Sequence, residues 1–353
     1  PSASNGDLTN SFSVGLAISS WEIDFFGRIA SLSEVALAQY LGTEEGRKAA
    51  QVSLVASVAN VWLNLAADEE LLELTRQTLA TREESLRITR LRFEGGASSE
   101  IDFRLAQSLA ETARATLSQV QRQRALDLNT LALLVGEPVA TDFRVGITTA
   151  AVQLPDVPAG LPSDVLVRRP DVRQAEQQLV AANANIGAAR AAFFPRISLT
   201  AGLGTASTEL SNLFSGGSWG LSVAPQLLVP IFDAGRNRAN LAVAQVNRDI
   251  AVAQYERSIQ SAFREVADGL AGRMTLSDQV RSQGTVVEAE TARVNLVRLR
   301  YDAGVSNYLD LLDAQRSLFT AQQTLVQTRL QRLQNQVQLY RALGGGWTEA
   351  AAS

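Results

Sequence analysis

The chain of 353 residues contains no cysteine and no histidine. Together these absences exclude Cys/His nucleophile pairs, Ser–His triads, zinc sites of the Cys/His type and histidine acid–base catalysis. No cofactor is expected. Proline is scarce: of nine in all, none lies between Pro1 and Pro138 and none follows Pro230. Net charge is small, with 32 Lys and Arg against 36 Asp and Glu, and the acidic pI of 5.2 argues against a nucleic-acid partner. No apolar run approaches the ~20 residues that a membrane-crossing helix needs.

The two proline-free stretches are rich in Ala, Leu, Gln, Glu and Arg, and predict long helices. They are also copies of each other. Gly27-Arg28 recurs as Gly235-Arg236, an offset of 235 − 27 = 208. The same offset carries Leu91-Arg92-Phe93-Glu94 onto Leu299-Arg300-Tyr301-Asp302, Gly96 onto Gly304, Asp102 onto Asp310 and Gly136 onto Gly344. No gap is needed between Gly27 and Gly136, so a tandem duplication is expected.

Each copy reads as a helical hairpin. The first covers about 29–135 and the second about 237–343, with long first arms of roughly 95 Å if unbroken and shorter returning arms from Glu100 and Tyr308. At the turns, glycines stop the first arm, and Ser99 and Asn307 offer N-caps to the second. A strand candidate precedes each hairpin, at about 11–23 and about 218–229, and a third alternates over about 196–206 after a helix at about 164–190. Each strand has one apolar face and one small or polar face, as membrane-barrel strands do; a small soluble sheet capping the bundle satisfies the same periodicity. Trp21 and Trp219 near strand ends suit an interfacial aromatic belt, and packing explains them equally. Subtracting 208 from the third strand and its helix puts their counterparts before residue 1, so the first copy is expected to lack its beginning. Three strands, or four when completed, fall short of the about eight that close a barrel, so closure requires oligomerisation.

The expected domains are an incomplete first repeat at 1–136, an equatorial linker at 137–165, a second repeat at 166–344 and a C-terminal tail at 345–353. Three motifs mark the chain to residue 195: Trp21-Glu22-Ile23-Asp24-Phe25-Phe26-Gly27-Arg28, Leu161-Pro162-Ser163-Asp164 with Arg168-Arg169-Pro170-Asp171, and Asn183-Ala184-Asn185-Ile186-Gly187 running on to Phe193-Phe194-Pro195. Two more, Tyr308-Leu309-Asp310-Leu311-Leu312-Asp313-Ala314-Gln315-Arg316 and Leu343-Gly344-Gly345-Gly346-Trp347, complete the set. Across essentially the whole chain these residues resemble the outer-membrane factors of tripartite efflux pumps, the TolC/OprM family, on the OprM side.

The resemblance implies a mixed, mainly α fold: long α-helical hairpins forming a trimeric α-barrel, plus strands contributing to a shared twelve-stranded transmembrane β-barrel. It implies a homotrimeric outer-membrane duct with a long periplasmic extension. The implied partners are a periplasmic adaptor (membrane fusion protein), an inner-membrane transporter of the resistance–nodulation–division class and outer-membrane lipid. A lipid anchor is expected in the full-length protein. With Met274 the single methionine and no His or Cys, no soft-ligand path for copper or silver exists, which favours drug-type substrates.

By spacing alone, Asp310 and Asp313 share one face of a helix start, where acidic side chains favour the helix. The resemblance assigns them instead to acidic rings at a periplasmic constriction, with Leu309 as its apolar member and Arg316 as a partner for Asp313. Like charges held close raise carboxylate pKa values, and such rings select cations. Tyr301 and Asp102 match positions whose hydrogen bonds hold TolC-like entrances shut, while Ser306 stands where TolC has a gating Arg. Gly95, Gly96, Gly304 and Val305 match adaptor-contact tips. Two readings compete from other classes. A soluble helical-hairpin scaffold or adaptor explains the hairpins but not the paired strands. A carboxylate-only hydrolase using Asp310 and Asp313 lacks any signal of a substrate pocket.

Overall fold

A computed structural model of the chain describes residues 10–154 and 168–345. Its elements are β1 (Phe12–Ile23), α1 (Arg28–Glu94), α2 (Glu100–Val135), α3 (Pro170–Ala191), β2 (Arg196–Ser207), β3 (Trp219–Leu228), α4 (Arg236–Asp302) and α5 (Tyr308–Ala342). The duplication is visible in the backbone. α1 and α4 are both 67-residue helices whose starts differ by 236 − 28 = 208, and α2 and α5 start 308 − 100 = 208 apart. Gly27, Gly96 and Gly136 have positive φ, and so do their counterparts Gly235, Gly304 and Gly344.

Both hairpin turns use one stop signal. Ala97 N–H bonds Arg92 C=O at 2.7 Å and Gly96 N–H bonds Phe93 C=O at 3.0 Å; Val305 to Arg300 and Gly304 to Tyr301 repeat the pattern at 2.8 and 2.9 Å. A left-handed residue closes such a motif, and glycine adopts that conformation without steric cost. Ser99 then caps α2 in a capping box with Asp102, and Asn307 caps α5 by accepting from Asp310 N–H.

The chain divides into two units, one of Pro1–Glu45 with Arg173–Ser258 and one of Gly46–Val172 with Ile259–Ser353. The first holds an antiparallel sheet in the order β1-β2-β3. Gly187 of α3 lies so near α1 that an added Cβ would stand 2.6 Å from Ser31 Oγ, so only glycine permits this approach. The second unit packs Val61 and Leu65 of α1 against Leu128 and Leu131 of α2, with Val139, Phe143 and Val145 of the following segment on top. A second cluster joins Leu63, Val152 and Leu333.

One expectation changes. The helix read from residue 164 starts at Pro170; 164–167 lie outside the described residues, and Arg168 and Arg169 are not helical. Proline favours the first helical position and disfavours helical geometry in the residue before it. The longer arms continue past their partners without a break: α1 and α4 are each one 67-residue helix. One 18-residue window of α1 is on average apolar enough to cross a membrane, with a third of it buried against the chain itself. Alternating Ala, Val and Leu on packing stripes raises its hydropathy without a single uninterrupted run. Leu161–Asp164, Gly346 and Trp347 lie outside the described residues.

Candidate functional site

Two regions contain the residues singled out from the sequence: the turn of each hairpin in the second unit, and the sheet of the first.

At the second hairpin, Leu311, Leu312 and Ala314 of α5 face inward, leaving Leu309, Asp310, Asp313 and Arg316 exposed on the other side. The two carboxylates do not act as a bare acidic pair. Asp313 Oδ2 accepts from Arg293 Nη2 of α4 at 2.7 Å, and Asp313 Oδ1 accepts from Arg316 Nη2 at 2.8 Å. The Arg293 hydrogen bond, aided by both positive charges, holds the Asp313 carboxyl below the usual range. Arg293 is the residue that spacing missed. It lies 20 positions upstream on the other arm, and only the hairpin's register brings it across. Asp310 is engaged locally: its N–H donates to Asn307 Oδ1 at 2.8 Å and its carboxylate accepts from Ser306 Oγ at 2.7 Å.

Tyr301 and Asp102 are occupied with different partners. Arg92 Nη1 donates to Tyr301 Oη at 2.5 Å, and the guanidinium sits 5.9 Å from the Tyr301 ring centre. Tyr301 also lies 5.7 Å from the ring of Tyr308. Asp102 accepts from Ser99 Oγ at 2.7 Å and from Ser98 Oγ at 3.2 Å; the Ser99 bond is the main cause holding its carboxyl below the usual range. Within this chain Asp102 serves as the capping partner of Ser99. Gly95, Gly96, Gly304 and Val305 are exposed at the turns.

In the sheet, residues directly opposite one another share a face. One face therefore runs Val14, Thr205, Trp219; then Leu16, Leu203, Leu221; Ile18, Ala201, Val223; and Trp21, Leu199, Pro225. The opposite face contains Gly15, Gly204, Gly220 and Gly202, Ser222. The apolar face is exposed, with Leu16, Ile18, Leu221 and Val223 all uncovered. A soluble sheet buries such a face.

Sequence reading missed one device here. The apolar positions of β1 are even through Ile18 and odd from Trp21. The register shifts between these two residues, so that Ser19 and Ser20 together oppose Thr200, with Ser20 at φ 58°. This bulge returns Trp21 and Ile23 to the apolar face; the phase slip in the sequence is the signal that locates it. Trp21 is level with Leu199 and Trp219 with Thr205, six residues apart along β2 or roughly 20 Å, near the ~25 Å height of a barrel's apolar band.

At the Trp21 end, each link between strand and helix exposes an apolar pair: Phe25-Phe26, Phe193-Phe194 and Ile231-Phe232. Phe26 and Phe194 stack with centroids 4.7 Å apart, while Ile231 and Phe232 are 93% and 90% exposed. Beneath them Glu22 accepts from Arg28 at 2.5 and 2.7 Å and from Arg196 at 2.8 Å, tying β1, β2 and the start of α1 together.

Comparison with known proteins places these features. A family model described as outer membrane efflux protein matches residues 2–137 and 161–345. The chain is 50% identical over 341 residues to the solvent efflux pump outer membrane protein SrpC of Pseudomonas putida, covering 97% of this chain and 72% of that protein. It is 45% identical over 347 residues to outer membrane protein OprJ of Pseudomonas aeruginosa, covering 97% and 72%. Among solved structures, the open state of the MtrE outer membrane channel of Neisseria gonorrhoeae superposes with a TM-score of 0.87 at 41% identity, covering 98% of this chain and 78% of that one. With a duplicated helical hairpin, an exposed apolar sheet face and near-complete sequence coverage in agreement, the chain belongs to the outer membrane efflux protein family, as a component of an efflux channel in the outer membrane.

Proposed function

We propose that the chain is the exit-duct subunit of a tripartite drug efflux pump, passively conducting organic compounds out of the cell. The carrying observation is the sheet, whose apolar face leaves Leu16, Ile18, Leu203, Leu221 and Val223 uncovered and whose outer strands β1 and β3 each have one edge unpaired among the described residues. Backbone groups at such an edge cannot remain unpaired in hydrocarbon, so neighbouring copies join the edges into a closed barrel. The unit is a homotrimer with its helical hairpins in the periplasm. Gly95, Gly96, Gly304 and Val305 meet a periplasmic adaptor, and an inner-membrane transporter of the resistance–nodulation–division class supplies the energy. Trp21, Trp219 and the exposed aromatic pairs at the strand–helix links contact the two interfaces of the outer membrane. The efflux of solvents, toluene and antibiotics named for relatives supports small organic substrates.

The entrance is gated at Leu309, Asp310, Asp313 and Arg316. Asp310 supplies the freer carboxylate; Asp313 belongs to an Arg293–Asp313–Arg316 clasp that sets how close the two arms lie. Arg92 and Tyr301 form the latch between α1 and α4. Opening is a shift between closed and dilated packings, biased by partner binding. Two measurements test the reading. Purified protein in detergent runs as a trimer; a monomer defeats the duct. Replacing Asp310 and Asp313 by Ala raises single-channel conductance in lipid bilayers and weakens block by multivalent cations; unchanged conductance and block defeat the gate.

A further inference from the structure

Away from both regions, α1 and α2 bury two carboxylates against each other. Asp68 and Asp127 are 7% and 8% exposed. Asp68 lies three residues after Leu65 and Asp127 four before Leu131, so both sit on the stripes along which α1 and α2 pack, beside the apolar cluster that joins the two helices. The carboxyl groups lie within hydrogen-bonding reach of each other. Asp127 accepts from Gln123 Nε2 at 3.3 Å, whereas Asp68 Oδ2 has no hydrogen-bond partner.

The nearby charges are Arg124 on α2 and Glu69 on α1. Arg124 is already committed: it donates to Thr141 O at 3.4 Å and to Phe143 O, and stands 3.6 Å from Glu69. Glu69 in turn accepts from Val145 N–H at 3.1 Å. Thus, among the described residues, neither carboxylate has a cation of its own. Two ionised carboxylates in contact inside an apolar cluster repel strongly; one proton converts them into a donor and an acceptor.

We propose that Asp68 and Asp127 form a proton-binding site that staples α1 to α2 and sets the packing of the 137–149 segment above them. Its ligand is a proton rather than a metal ion. Among the described residues no group of three or more Asp, Glu, His or Cys is placed to hold a metal, and hard divalent cations require more oxygen ligands than this pair offers. Burial, then the hydrogen bond and charge of Asp127, push the Asp68 carboxyl up to about 7, with Arg124 opposing. The folded state therefore keeps a proton that the unfolded chain loses near pH 4. Stability falls as pH rises through this interval. Once the proton leaves, Arg124 is drawn toward the new charge and releases the carbonyls of Thr141 and Phe143. The inference is independent of the entrance gate.

The test is an infrared pH titration of the purified protein, paired with amide exchange of residues 124–149. The wild type is expected to show a buried protonated-carboxyl band that fades as pH passes about 7, with several-fold faster exchange on going from about pH 6 to about pH 8 after correction for intrinsic rates. Asp68→Asn, which supplies a permanent donor to Asp127, is expected to lack the band and to exchange at a pH-independent rate. A missing wild-type band, a band unaltered by Asp68→Asn, or one removed at constant pH by Mg²⁺ or Ca²⁺ overturns the proposal. If Asp68→Asn fails to assemble, the wild-type titration and Asp127→Asn decide by the same criteria.

Discussion

Arg293 of α4 and Asp313 of α5 meet at 2.7 Å across the second hairpin, and Arg316 takes the other oxygen of the same carboxylate at 2.8 Å. Asp313 thereby becomes a clasp between arms rather than a free negative charge at the entrance. Its folded pKa lies below the ordinary value, chiefly through the Arg293 bond. The stabilisation is therefore present above the unfolded value and lost as pH falls through the depressed one, so the clasp holds at neutral pH and fails only in acid. Arg293→Ala is expected to make the channel more cation-selective by baring Asp313, measured as the reversal potential under a salt gradient. Unchanged selectivity would remove Asp313 from the conducting path.

The Arg92–Tyr301 contact leads to a second expectation. Tyr301→Phe removes the hydroxyl that accepts from Arg92 but keeps the ring beside its guanidinium. It is expected to weaken the closed packing by about 1 kcal/mol, the usual net worth of one hydrogen bond. A double-mutant cycle with Arg92→Ala on single-channel open probability measures this. Strict additivity of the two changes sinks the latch.

Deleting Ser20 tests the bulge. With one residue fewer, Ser19 alone opposes Thr200, Trp21 still meets Leu199 and Ile23 still meets Ile197, so the apolar face continues as an unbroken alternation. The deletion is expected to straighten the strand and to leave recovery of trimer from the outer membrane intact. Ser20→Gly is expected to be tolerated and to stabilise by up to roughly 1 kcal/mol, because glycine adopts the positive φ without penalty. Loss of assembly in the deletion variant would show that the bulge itself is required, beyond the face it presents.

Arg169 is buried and binds Asp171 at 2.7 Å, Glu265 at 2.9 Å and the carbonyl of Ala342 at 2.9 Å. Arg169→Ala leaves Asp171 and Glu265, whose side chains are 45% and 23% exposed, without their cation. Water reaches both carboxylates, so the loss is expected to cost about 1–3 kcal/mol, and Arg169→Lys restores charge but not the fork geometry. Thermal unfolding is expected to rank the native chain above Lys and Lys above Ala. Equal stability of all three would mean water replaces the guanidinium.

Much of the backbone was legible because its signals are local. Gly96 and Gly304 stop helices, and Ser99 and Asn307 start the next ones; each acts through neighbours within a turn. The candidate site was less legible. Asp310, Asp313 and Arg316 were identified from resemblance, yet nothing at helical spacing points to Arg293. Asp102 shows the limit differently: its position matched a family pattern, while its side chain satisfies the nearest unpaired backbone donor, at Ser99.

The sequence by itself determined the duplication, the 208-residue offset, the four long helical arms and the alternating strands, since periodicity and turn chemistry are written residue by residue. Tertiary structure alone decided the pairings: Arg92 with Tyr301, Arg293 with Asp313, and Asp68 with Asp127. These residues are separated by 20 to 209 positions and meet only after the helices have packed in register. Burial then settles their chemistry, because the same aspartate is an ordinary acid in water, a clasped anion beside two arginines and a proton holder in an apolar cluster.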